Sequence, residues 1–317
     1  MTIKSIIAKI QEYQSFVVTG HDPADADCVG SCLTLVKMLK ILNKKAYHVR
    51  SCKVPGNCQF LPSVADTFVL PNWQSKKIDC LIVVDSPDKF RIDNVLSLFV
   101  GIPIVVIDHH QYNRIESQIS WVDKSKSSTS EMLCELAQEM NIPLDLDMAM
   151  CLYAGMASDT GFFHYANTTP KTMLWASQLM SVGIDTDYIY RQLTCFLTPS
   201  ELSCCTEMIA NVQYYDDVAV CILKKEMLRR YKLRAISMQY IHEIILTVAT
   251  TKVSITAQEL EPSLTKIGLR SKDTPNVADI AKIFDGGGHI NAAGCTIQEP
   301  FKKAVSNVLL ALGNRSL

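Results

Sequence analysis

Short runs of apolar, largely β-branched residues alternate with segments of helical period through the first half of this 317-residue chain. That alternation is the signature of an α/β fold with a mostly parallel sheet flanked by helices. Strands are expected at residues 15–19, 46–50, 67–70, 80–84 and 104–107, and helices at 3–13, 30–42, 129–140, 145–157 and 172–181. Ser128 and Glu131 read as a capping box ahead of the third helix, and Gly183 as the stop after the last. Beyond Leu193 the pattern changes, passing through Thr198, Pro199 and Ser200 into a helical stretch at 201–210. Strands at 218–223, 252–257 and 265–270 then interleave with helices at 238–247, 277–284 and 301–312. The expected organisation is a first domain at 1–193, a linker at 194–203 and a second, smaller α/β domain at 204–317, in keeping with a length suited to two cores.

Charge and composition narrow the class of ligand. The formal net charge is −1, whereas a protein that grips long DNA or RNA usually carries a strongly basic face. A small ligand is therefore expected rather than long nucleic acid. No apolar run approaches the roughly 20 residues needed to cross a bilayer, and residues 1–10 lack the pattern of a secretory signal. A cytoplasmic protein without a membrane role is expected, and a homodimer is compatible with the sequence. The 12 cysteines contain no Cys-x-x-Cys pair, so most are expected to be small buried hydrophobes rather than zinc ligands or disulfides.

The chemistry-bearing residues follow the strands. The first strand leads into His21-Asp22-Pro23-Ala24-Asp25-Ala26-Asp27, the apolar run 81–84 into Asp85, and the run 104–107 into Asp108-His109-His110. Loops at the carboxyl ends of parallel strands are where open α/β sheets bind ligands. For the first loop alone, a helix cap at Asp27 is as good a reading as a metal ligand. The repetition shifts the balance, since gathering carboxylates at one sheet edge is costly unless a cation compensates. Asp159, in Ser158-Asp159-Thr160-Gly161, closes a helical pattern where an aspartate is electrostatically unfavourable; singly, it reads as a turn residue. Asp and His donors suit Mn²⁺, Mg²⁺ or Co²⁺ better than thiolate-seeking metals, and the imidazoles favour Mn²⁺. Two such ions would activate water and neutralise a phosphoryl transition state.

Together these motifs resemble the DHH phosphoesterase family. The His21, Asp25, Asp27 loop resembles its first motif, Asp85 its second, Asp108-His109-His110 its third and Ser158-Asp159-Thr160-Gly161 its fourth. Gly286-Gly287-Gly288-His289, followed by Ile290 to Gly294, is similar to the glycine-rich signature of the DHH-associated substrate domain, so the resemblance covers nearly the whole chain. It implies that His21 and Asp25 bind one metal, that Asp27, His109 and Asp159 bind the other, and that Asp85 bridges them. It further implies that His110 faces the scissile phosphate and that Asp108 orients an imidazole. Gly287, Gly288 and His289 would clamp a substrate phosphate, the glycines leading into a helix start, with Arg270 and Ser271 beside them. Two departures stand out: Ala24 occupies the place before Asp25 where relatives carry proline, and His164 stands where many carry a substrate-binding arginine. Phe163 or Tyr165 would either stack on a base or belong to the core.

Within the family, length and layout are similar to the branch acting on short oligoribonucleotides, on linear or cyclic di-AMP, or on 3′-phosphoadenosine 5′-phosphate. The expectation is a two-metal nucleotide phosphodiesterase with phosphatase activity. A polyphosphate or pyrophosphate hydrolase and a non-catalytic cyclic-dinucleotide sensor are the rival readings.

Overall fold

The computed structural model describes residues 2–313 apart from Pro71, Ser75, Phe196 and Asp273, with the backbone alone of His289. It divides into two compact units, Met1–Phe196 and Leu197–Leu317. In the first unit, α1 (Ile3–Glu12), β1 (Ser15–Gly20), α2 (Ala26–Ile41), β2 (Lys45–Arg50), β3 (Phe68–Val69) and β4 (Cys80–Val84) are followed by α3 (Asp93–Leu96), β5 (Ile104–Asp108) and β6 (Ile119–Val122). The unit ends with α4 (Thr129–Glu139), α5 (Leu146–Asp159), α6 (Pro170–Ser181) and α7 (Thr186–Thr194). Its strands pair in the order β3-β2-β1-β4-β5-β6, every pairing parallel.

The expected sheet is therefore present, and alternating residues explain its two apolar faces. Phe16, Val18, Ile82, Val84, Val105 and Ile107 pack into one core with α2, α4 and α5. Val17, Leu81, Val83 and Val106 face the other way, into a second core with Ile92, Val95 and Phe99. Strands buried on both faces read as continuous apolar runs, as these do. In this order the connections diverge between β1 and β4, which places the loops after those strands at the switch point where ligands bind.

Two glycines set how closely the helices approach. A Cβ on Gly30 of α2 would drive into the Cys151 carbonyl of α5, and one on Gly155 would lie 2.6 Å from Asp27 Oδ1. The helix crossing thus exists only because both positions lack a side chain.

The second unit comprises α8 (Pro199–Ala210), β7 (Gln213–Tyr215), β8 (Val218–Leu223), α9 (Lys225–Arg230), α10 (Gln239–Leu246), β9 (Val253–Glu261) and β10 (Leu264–Ser271). It closes with α11 (Val277–Ile283), β11 (Gly287–His289), β12 (Ala292–Ile297) and α12 (Phe301–Ala311). Its sheet order is β11-β12-β10-β9-β8-β7, with β8 and β9 parallel and the other pairs antiparallel. The glycine-rich segment differs from expectation here: Gly287–His289 is an edge strand turning back into β12, and no helix begins there. Among the described residues no helix is long and apolar enough to cross a membrane.

Gly30→Ala is expected to cost about 1–3 kcal/mol, the usual penalty of overpacking. A urea-unfolding midpoint equal to that of the wild type would show that α2 and α5 can separate freely.

Candidate metal centre

At the end of β1 the chain turns into α2, and Asp25 caps that helix by accepting from the Cys28 N–H at 3.0 Å. The cap is thus Asp25 and not Asp27, which lies buried in the first helical turn. Asp27 meets a second helix as well. The Thr129 N–H donates to its Oδ2 at 2.7 Å and the Ser130 N–H to its Oδ1 at 2.9 Å, both from the first turn of α4. Helix N-termini favour a carboxylate, so this geometry offsets part of the cost of burying Asp27. Of the expected capping box, the Ser128 hydroxyl accepts from the Glu131 N–H, but the Glu131 carboxylate turns to Ser127 and Thr172.

Asp85 directly follows β4 with φ +53°, in the left-handed region that asparagine and aspartate tolerate best among non-glycine residues. The turn presents its buried carboxylate to three imidazoles. Oδ2 lies 3.4 Å from His21 Nε2, while Oδ1 lies 3.5 Å from His109 Nε2 and 3.8 Å from His110 Nδ1. The Thr129 hydroxyl donates to Oδ1 at 3.1 Å. His21 Nε2 also lies 3.5 Å from Asp25 Oδ2, and His109 Nε2 lies 3.0 Å from Asp159 Oδ2.

Asp159 is the last residue of α5 and is aimed by the strained loop behind it. Gly161, Phe162 and Phe163 are all left-handed, at φ +55°, +56° and +66°. Asn167 ties the turn down by donating to the carbonyls of Ser127 and Asp159. Phe163 packs against the core, whereas Tyr165 and His164 are exposed.

The third motif divides its labour. Asp108 is buried and accepts from His110 Nδ1 at 2.7 Å and from the Asn113 amide at 2.8 Å. Burial works against its charge, but His110 and Asn113 hold its carboxyl below the ordinary range. Beneath the first loop, the fully buried Arg50 pairs with Asp22 and donates to the His21 carbonyl at 2.9 Å. Arg91 contacts His21 Nδ1 at 2.7 Å. Sequence reading gave no role to Arg50, Arg91, Asn113 or Thr129, and counted Cys28 among cysteines expected to be mostly small buried hydrophobes; Arg50 alone carries a signal, as an arginine closing an apolar strand.

Protonation reflects the crowding. Burial lifts Asp27, with Asp85 and Asp159 adding to it, and lifts Asp159 to about 6 despite the pull of His109. Burial disfavours a charge on His21 and His109, yet nearby groups outweigh it and raise both. For His21 these are Cys28, Asp25 and Asp85, and for His109 they are Asp159, Asp85 and Asp27. His21, Cys28 and Asp85 form one group whose ligand atoms lie within 4.8 Å of one another, Asp85, His109 and His110 a second, and Asp27, His109 and Asp159 a third. These acidic and imidazole groups are placed to bind metal, and the set is dominated by oxygen and imidazole nitrogen, which suits a hard or borderline divalent ion.

In the second unit, Arg270 on β10 stands opposite Ala292 of β12, and Ala292 opposite His289 of β11, so the three occupy one cross-strand row. The His289 side chain lies outside the described residues. Arg270 Nη1 donates to the Leu269 carbonyl at 2.9 Å, and Ser271 is buried, its hydroxyl accepting from the Asn291 amide. A side chain on Gly287 would meet nothing within 4 Å, whereas Gly288, at φ +146°, is closed in by Ala292 and Ala293.

Known proteins share this layout. Residues 15–156 match the DHH family, N-terminal domain. The chain is 29% identical over 302 residues to a probable bifunctional oligoribonuclease and PAP phosphatase of Streptococcus mutans, covering 92% of each chain. It is 27% identical to the bifunctional oligoribonuclease and PAP phosphatase of Thermus thermophilus, covering 94% of this chain and 88% of that one. Among solved structures, an exopolyphosphatase-related protein of Bacteroides fragilis superposes with a TM-score of 0.91 at 26% identity, over 98% of this chain and 95% of its own.

In the metal-free protein Asp159 binds its proton more tightly folded than unfolded, since its value is raised from 3.8 to about 6. Its contribution to stability is therefore full below about pH 4 and lost as the pH rises through about 6. The stability difference between wild type and Asp159→Asn, from urea unfolding in chelator, should shift against the wild type across that window. A difference independent of pH would remove the argument.

Proposed function

Residues 15–156 of this chain are a DHH-family N-terminal domain, and from that premise we propose that the protein is a metal-dependent hydrolase of short oligoribonucleotides. Linear di-AMP, cyclic di-AMP and 3′-phosphoadenosine 5′-phosphate are its further substrates, and Mn²⁺ its working cation. Oligoribonuclease and phosphatase activities are named for the relatives that align across more than nine-tenths of this chain. The observation that carries the reading is the position of Asp85, with one carboxylate oxygen toward His21 and the other toward His109.

His21 and Asp25 would hold one cation and Asp27, His109 and Asp159 the other, with Asp85 between them. Bound there, two divalent ions supply Lewis acidity and lower the pKa of water at the site. The remaining work belongs to the protein. The Thr129 and Ser130 N–H groups fix both oxygens of Asp27, and the Thr129 hydroxyl orients Asp85. Asp108 holds His110 by Nδ1, so that Nε2 is the nitrogen offered to the substrate phosphate. Arg270, Ser271, Gly287, Gly288 and His289 bind a substrate phosphate, the arginine by a two-pronged hydrogen bond suited to its planar head.

A second reading, hydrolysis of polyphosphate, is favoured by the description of the Bacteroides fragilis protein. One substrate panel with Mn²⁺ separates the two: short oligoribonucleotides, linear and cyclic di-AMP, 3′-phosphoadenosine 5′-phosphate and polyphosphate. Nucleotide cleavage is expected, with Asp85→Ala inactive and Asp108→Asn slower by about 10–100-fold, the usual scale for a group that orients a metal-site residue. Arg270→Lys should raise KM more than it lowers kcat. Phosphate released from polyphosphate with every nucleotide untouched would reverse the assignment.

A further inference from the structure

We propose that the His21 side of the centre is a mixed thiolate, imidazole and carboxylate site, with Cys28 as its sulfur ligand, that takes a thiophilic divalent cation of the Zn²⁺ or Cd²⁺ class. The inference rests on the two-metal reading for the place of His21 and Asp85, and goes beyond it in adding a sulfur to that ligand set.

Ligand atoms of His21, Cys28 and Asp85 lie within 4.8 Å of one another, and all three residues are buried. Cys28 is held in this position from two sides. Its N–H is bonded to the cap Asp25, and its sulfur lies over Gly20 at the end of β1, where any Cβ would collide with it. The sulfur lies 3.6 Å from the His21 carbonyl and 3.7 Å from Arg50 Nη1. In the metal-free protein burial and the neighbouring Cys32 hold the Cys28 thiol well above its ordinary range, with His21 and Arg50 pulling the other way. Around a tetrahedral ion, a sulfur at about 2.3 Å and a nitrogen at about 2.0 Å lie a little under about 4 Å apart, so the three atoms need close by no more than about 1 Å. On binding, the thiol proton passes to solvent as the sulfur–metal bond forms. Thiolate ligands select Zn²⁺ over Mn²⁺, so a thiophilic ion should displace Mn²⁺ from this half of the centre.

The test uses the full chain with the exposed Cys52 and Cys195 changed to serine. Cd²⁺ is titrated while thiolate-to-metal charge-transfer absorption is recorded, and Mn²⁺ binding is counted separately by electron paramagnetic resonance. One equivalent of Cd²⁺ should give the absorption, and Cys28→Ala should abolish it and weaken apparent Cd²⁺ affinity by about tenfold or more, at least the loss that follows from removing a supporting group. Should that variant fail to fold, X-ray absorption on the Zn²⁺-loaded parent reads the same point, as one sulfur at about 2.3 Å. Bound Mn²⁺ with no Cys28-dependent absorption and no sulfur shell would overturn the inference while leaving the centre standing. Failure to bind either ion would remove the centre and this inference together.

Discussion

One buried carboxylate, that of Asp85, lies between two imidazoles at the carboxyl end of β4, and the first unit is organised around making that tolerable. Burial raises the pKa of both Asp27 and Asp159, Asp85 and Asp159 adding to the first and Asp25 and Asp85 to the second, an arrangement that water-free surroundings would normally forbid. The fold answers with fixed positive ends. Asp25 caps α2, Asp27 sits in its first turn, and Asp27 also receives two N–H groups from the start of α4. The apolar strands on either side cannot shift to relieve the crowding, because both of their faces are packed. What remains is to bind protons or cations.

The same rigidity extends below the site. Arg50 closes β2, is fully buried, and is neutralised by Asp22 while its guanidinium holds the His21 carbonyl. Its neighbour His48 cannot carry a second charge there, and burial with Arg50 beside it depresses that imidazole to about 3. The loop that presents His21 is thus anchored by its backbone, which leaves the ring free of any structural duty except through Nδ1.

Strand ends were the most legible part of the sequence, because apolar runs and the acids or histidines that follow them need no tertiary knowledge to read. Asp85 and Asp108-His109-His110 fall in this class. The start of α2 did not, and for a physical reason: the helix is buried on nearly all sides from Ala26 to Leu39, so it has no polar face to give a period, and the expected start at residue 30 fell four residues late. That error left the roles of Asp25 and Asp27 unresolved. β6 and β7 are too short or too exposed to show alternation, and β11 is built of glycines with little strand preference of their own. The donors that hold Asp27 are backbone groups of Thr129 and Ser130, which no pattern of residue types can announce.

Helix packing and the placement of the proposed metal ligands turn out to be one device. Cys151, Gly155 and Asp159 recur at intervals of four along α5 and so share one face of that helix. Gly30 of α2 fits against the first, Asp27 of α2 against the second, and Asp27 with Asp159 closes a ligand group at the third. The spacing between α2 and α5 therefore fixes the separation of two carboxylates that share His109. A side chain at either glycine would separate the helices and the ligands together, so the crossing cannot loosen without the centre losing its shape.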